Sequence, residues 1–269
     1  MYPIRQIVGL SLAAWLALAV AAYGQRPPIH YSHSANLPPG TVGAGQLQRF
    51  AALRCYSQPV EIRVPKGARV ALQADGHFDE ASEASVVVGM QVGSVYQIKI
   101  TEIPFHLGHE VFPTIEIVNR IYPPPGQELR FPVPVQFTQE ELELAMSGKY
   151  VTRVIYLEDP ETALGYADDR DEQRYFEVGP SRDPLRVADQ LGRPVAIMRM
   201  GSRVPDWENG QVGLGYGHAP LIRYSRAEVE SAGTDTQAAI ERQGYNIPRI
   251  SISGEPRARA TLPAGLTVP

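Results

Sequence analysis

A single cysteine, Cys55, in 269 residues leaves no internal disulfide to be made. The fold therefore rests on its core in any compartment, and the thiol is expected to be buried, the usual fate of an unpaired cysteine. Basic runs are also missing and the formal net charge is −4, so nothing offers a phosphate backbone a track and nucleic acid is not an expected partner. No GxSxG elbow, P-loop or dinucleotide fingerprint occurs. The glycines of Gly213-Leu214-Gly215-Tyr216-Gly217 lack the Lys-Ser/Thr that a phosphate loop needs. Nor is there a wholly apolar carboxy-terminal stretch, so no anchor is expected there.

What is present begins with one arginine, Arg5, and an apolar run from Ile7 to Ala22. That layout predicts a secretory signal over residues 1–24, with small residues at Ala17, Ala19, Ala21 and Gly24 for cleavage; a retained anchor is the alternative reading. No cysteine follows for lipid attachment. Residues 25–56 open on Pro-Pro, Pro-Pro-Gly and Gly-Ala-Gly strings and predict a linker, in which His30 and His33 are solvated.

From position 57 the pattern changes to period two, which puts alternate side chains on opposite sheet faces. Val60, Ile62 and Val64 alternate with Glu61 and Arg63; after the Pro65-Lys66-Gly67 turn, Val70, Leu72 and Ala74 do the same, as a hairpin or a Greek-key arm. Tyr96, Ile98 and Ile100, then Ile115 and Ile117, leave Gln97, Lys99, Thr114 and Glu116 for a wet face. Leu129 to Phe137 continues the alternation, and Pro132 and Pro134, which remove donors from one side of the strand, predict a sheet edge. Thr138 with Glu141 forms a capping box before Leu142, Ala145 and Met146, predicting a short lid helix. Val151 to Leu157 reads as a strand covered on both sides.

Six or seven strands at spacings of about 10 residues predict a mainly β fold, an immunoglobulin-like antiparallel β-sandwich over 57–165, though the Cys, Trp, Cys signature of antibody domains is absent. Residues 166–204 predict a small strand-helix-strand appendage: a strand at Tyr175–Val178, a helix capped by Asp183 with Pro184 at its first position and stopped by Gly192, and an apolar strand from Pro194 to Met200. Beyond lies a largely disordered tail, 205–269, with one possible helix from Asp235 to Gln243.

Two clusters carry candidate chemistry. The loop from Pro104 to Pro113 holds His106, His109 and Glu110, residue types that bind zinc, but in neither spacing of the zinc-protease helices. Asp168, Asp169 and Asp171 are candidate calcium ligands without the glycine and distant glutamate of an EF-hand loop. No catalytic pair and no bound cofactor are expected.

Six strings bear a family likeness: Val95-Tyr96, Ile103-Pro104, Phe112 to Ile117, Tyr122-Pro123-Pro124-Pro125-Gly126, Arg130 to Val135 and Tyr156 to Pro160. Over roughly residues 57–204 they resemble an uncharacterised group of exported proteins of planctomycete-type bacteria, which implies export and a shared β-rich fold but assigns no activity. The expectation is an exported, periplasmic, envelope-associated or extracellular module that binds or scaffolds. Its partner is an envelope protein or polysaccharide, and no membrane span remains after signal cleavage. The alternative is a metal-dependent hydrolase using His106, His109, Glu110 and His77.

Overall fold

The computed structural model describes residues 33–74, 76–83, 85–161, 163, 173–201 and 220–232. The expected signal, His30, the aspartates at 168, 169 and 171 and the helix expected at 235–243 lie outside them. Among the described residues ten strands form: β1 (Ser57–Arg63), β2 (Arg69–Ala74), β3 (His77–Phe78), β4 (Val86–Gln91), β5 (Val95–Thr101), β6 (Thr114–Ile117), β7 (Val133–Gln136), β8 (Val151–Glu158), β9 (Gly192–Met200) and β10 (Leu221–Arg223). Helices α1 (Thr41–Arg49), α2 (Gln139–Met146) and α3 (Pro184–Leu191) accompany them, and residues 226–232 are also helical.

The strands make two open sheets, one ordered β10-β4-β1-β7 and the other β3-β2-β5-β6-β9-β8. All pairings are antiparallel except β1 with β7. Alternation predicts the core correctly. Val60, Ile62, Val88, Met90, Val133 and Val135 of the smaller sheet share one cluster with Ile98, Ile100, Ile115, Ile117 and Met198 of the larger. Each such side chain removed from water contributes about 1.5–3 kcal/mol. The turn at Pro65-Lys66-Gly67, closed by Ala68 N–H donating to the Pro65 carbonyl at 2.9 Å, carries the chain from one sheet to the other. Of the two arrangements open to it, the crossing arm is therefore realised.

Proline chemistry also places β7 correctly, at the end of the smaller sheet. Its outer side is met by Gln173, whose N–H donates to Gln136 Oε1 at 2.9 Å and whose side-chain amide donates to the Pro134 carbonyl at 3.2 Å. The strand is shorter than its alternation suggests: residues 128–130 form a 3₁₀ turn and Phe131 is exposed. The lid helix α2 has its capping box, with Glu141 N–H donating to the Thr138 hydroxyl at 3.2 Å and Thr138 N–H to Glu141 Oε2 at 3.1 Å. Leu142 and Ala145 close the sandwich end.

Four expectations are corrected. The strand over Val151–Leu157 is the edge of the larger sheet, with only Ile155 buried, because α3 covers one of its faces and nothing pairs with its outer side among the described residues. The strand expected in an appendage is instead β9, inserted between β6 and β8 and buried from Pro194 to Met200. It is part of the sandwich, and the strand foreseen at Tyr175–Val178 is an unpaired extended segment.

Third, residues 33–56 are not a linker. Helix α1 and the turn before it lie on the outer face of the larger sheet, where Ala35 and Val42 pack with Val118, Leu185 and Ile197 in a second core. The supposed wet face is thereby covered, and Glu116 and Arg199 are buried to 0% and 2% exposure. Their ion pair, Arg199 Nη1 to Glu116 Oε2 at 2.7 Å, is bound to the strap. Gly43 N–H donates to Glu116 Oε1 at 2.7 Å, and Arg199 Nε donates to the Ala35 carbonyl at 3.2 Å. Asp183 caps α3 through Leu185 N–H at 2.9 Å and also accepts from Ala35 N–H at 3.1 Å and from the Ser34 hydroxyl. Gly43 is required here, since a Cβ on it would stand 2.9 Å from the Gly93 Cα.

Fourth, part of the expected tail is structured: β10 adds to β4, and the Tyr96 hydroxyl donates to the Pro220 carbonyl at 2.8 Å while accepting from Gln91 N–H at 2.7 Å. Among the described residues no helix is long and apolar enough to cross a membrane.

Candidate functional site

The loop between β5 and β6 is built as a rigid projection. Ile103, fully buried, roots it in the main core, and two successive turns follow, with His106 N–H donating to the Ile103 carbonyl at 2.9 Å and His109 N–H to the His106 carbonyl at 3.1 Å. The lid helix braces it: the Gln139 side-chain amide donates to the Pro104 carbonyl at 2.9 Å and to Glu143 Oε1 at 2.8 Å. At its far end Val111 returns to the sheet through a pair of bonds with Ile100.

The predicted ligands take separate partners. His106 Nε2 lies 3.6 Å from Glu143 Oε1, and its ring meets that of His109 edge-on at 6.0 Å between centroids. Glu110 pairs with Lys99 Nζ at 3.4 Å, while the Lys99 ammonium also sits 5.6 Å from the Phe78 ring centroid. His77 stands on β3, the edge strand at the opposite end of the larger sheet from β8. Among the described residues no three His, Cys, Asp or Glu side chains are grouped to hold a metal ion.

What the loop does present is apolar. Phe105 is 93% exposed and Leu107 79%. Phe105 has φ +65°, a left-handed conformation that costs a non-glycine residue about 1–3 kcal/mol and persists only where the surroundings enforce it. A phenylalanine and a leucine turned outward on a braced, strained turn lose little further freedom on contact, which favours binding. The signal was legible as Pro104-Phe105-His106-Leu107-Gly108, where two large apolar residues flank His106 in a loop bounded by proline and glycine.

A concavity of about 800 Å³ runs along the open edge of β8, between that strand and residues 173–178. Tyr150, Tyr156, Tyr175 and Phe176 line it. Arg153, bonded to Glu141 at 2.6 Å and to the Gln136 carbonyl at 2.7 Å, forms part of its wall. The Tyr156 phenol is raised above its ordinary value by burial, with the Glu158 charge adding to the effect.

No family model, curated protein or solved structure matches the chain.

Proposed function

We propose that the chain is an exported, non-enzymatic module of the cell envelope, immunoglobulin-like in build, that binds or scaffolds a partner through the loop from Pro104 to Pro113. One observation carries this reading: two large apolar side chains are held outward on a loop braced from three sides, at the cost of backbone strain. Buried anchors of this kind supply most of the energy of an interface. Export rests on the arginine-then-apolar start of the sequence, and the immunoglobulin-like assignment on short alternating strands in two stacked sheets.

The test is co-sedimentation with envelope fragments from the producing cell. Wild-type protein should pellet, while Phe105→Ser with Leu107→Ser stays in the supernatant at an unchanged melting temperature, since both side chains are exposed and serine, like phenylalanine, is a non-glycine residue at the φ +65° position, which leaves the strain there the same. Equal sedimentation of the two proteins would remove the loop from the interface.

A further inference from the structure

We propose a second binding site, for the carboxylate of an acidic saccharide, at Arg120. It lies in the segment after β6 and is separate from the Pro104–Pro113 loop. The Arg120 guanidinium is stacked between two rings, 3.7 Å from the Tyr56 centroid and 4.5 Å from that of Tyr122. Contact with two rings restrains the fork, and its edge, where the N–H donors lie, is the direction for recognition. One donor is used internally: Nε bonds the Ile121 carbonyl at 3.4 Å. Among the described residues no carboxylate lies within ion-pair distance of Arg120.

Two neighbouring features point to an anion. Arg193, from the start of β9, also stands over the Tyr122 ring, at 5.0 Å, so two guanidiniums share one ring. The Tyr56 hydroxyl is buried and has no hydrogen-bond partner among the described residues, a donor left without an acceptor. Burial pushes the Tyr56 phenol up, with the Arg120 charge opposing and the Glu128 charge adding to the rise; Glu128 itself accepts from Gly126 N–H at 3.3 Å. It closes its own turn and does not pair with Arg120.

Anchored fork geometry matches a planar carboxylate through two parallel N–H···O bonds. Tyr122 is 61% exposed and is followed by Pro123, Pro124 and Pro125, an apolar surface beside the fork for the C–H groups of a sugar. A uronic-acid residue combines the two requirements.

Calorimetric titration with an oligouronate, a neutral oligosaccharide of equal length and an oligoglutamate peptide tests this. The expected result is salt-sensitive binding of the oligouronate alone. Binding should fall at least about tenfold in Arg120→Lys, which keeps the charge but loses the fork, as expected for a lost charge-assisted hydrogen bond. Tyr122→Ser, at an exposed position, should weaken it without changing the melting temperature, and Phe105→Ser with Leu107→Ser should leave it unaltered. No binding of the oligouronate, equal binding of the neutral sugar, tighter binding of the peptide, or full affinity in a folded Arg120→Lys or Tyr122→Ser protein would each overturn the proposal.

Discussion

Glu116→Gln isolates the contribution of the buried ion pair with almost no change of shape. The amide oxygen still accepts from Gly43 N–H, but Arg199, 2% exposed, loses the countercharge 2.7 Å away. Removing one partner of a buried pair costs about 3–5 kcal/mol, because the remaining charge stays out of water. Against a total stability of about 5–15 kcal/mol that is a large fraction, and at about 2–4 °C per kcal/mol it lowers the melting temperature by roughly 10 °C. Urea unfolding followed by circular dichroism reads the loss. Glu116→Gln combined with Arg199→Met should recover part of it, since an apolar side chain of similar length leaves no charge to strand. Because both charges also bond the strap at Ala35 and Gly43, trypsin should cut after Arg49 sooner in the single variant. A loss below about 1 kcal/mol, the behaviour of a solvent-exposed pair, would show that α1 does not seal this face.

Three further outcomes follow from the same geometry. Burial raises the Tyr96 phenol above its ordinary value of 10.0. Its stabilising effect is therefore complete below that pH and is lost as pH rises from there through the folded-state value; urea midpoints should fall above about pH 10, and less steeply in Tyr96→Phe. That variant should also cost about 1–3 kcal/mol at neutral pH, since Gln91 N–H and the Pro220 carbonyl lose their shared partner. Cys55, expected from the sequence to be buried, is instead exposed at φ +62° in the turn before β1 and should react with a thiol reagent in the native protein as fast as in urea; protection in the native state would contradict its exposure. With His106 given to Glu143 and Glu110 to Lys99, a chelator should leave the melting temperature unchanged, and a fall of several degrees would restore the metal reading of the loop.

What could be read from the sequence divides by range. Facts settled within a few residues were legible: the parity of Tyr96, Ile98 and Ile100, the edge position of Pro132 and Pro134, the capping box at Thr138 and the Asp183-Pro184 helix start all depend on local backbone chemistry. Facts settled by distant segments were not. Period two says that Glu116 and Thr114 share a face opposite Ile115 and Ile117, and that much is right, but it cannot say whether the face meets water or another piece of chain. Here it meets Ala35, Val42 and Gly43, which come from a glycine- and proline-rich stretch whose composition reads as linker. The glycines that suggested flexibility are the ones that let α1 approach: Gly43 lies against the backbone of Gly93. Likewise Arg199 sits in an otherwise apolar strand, Val195 to Met200, and a lone charge there was the available sign that the strand is covered on both faces and needs an opposite charge nearby. Glu116 answers it from the neighbouring strand, two residues along on the same face from Thr114, whose partner is Arg199. An isolated charge within a buried apolar run thus predicts a complementary charge on an adjacent strand of matching parity, and with it a third layer to exclude water from both.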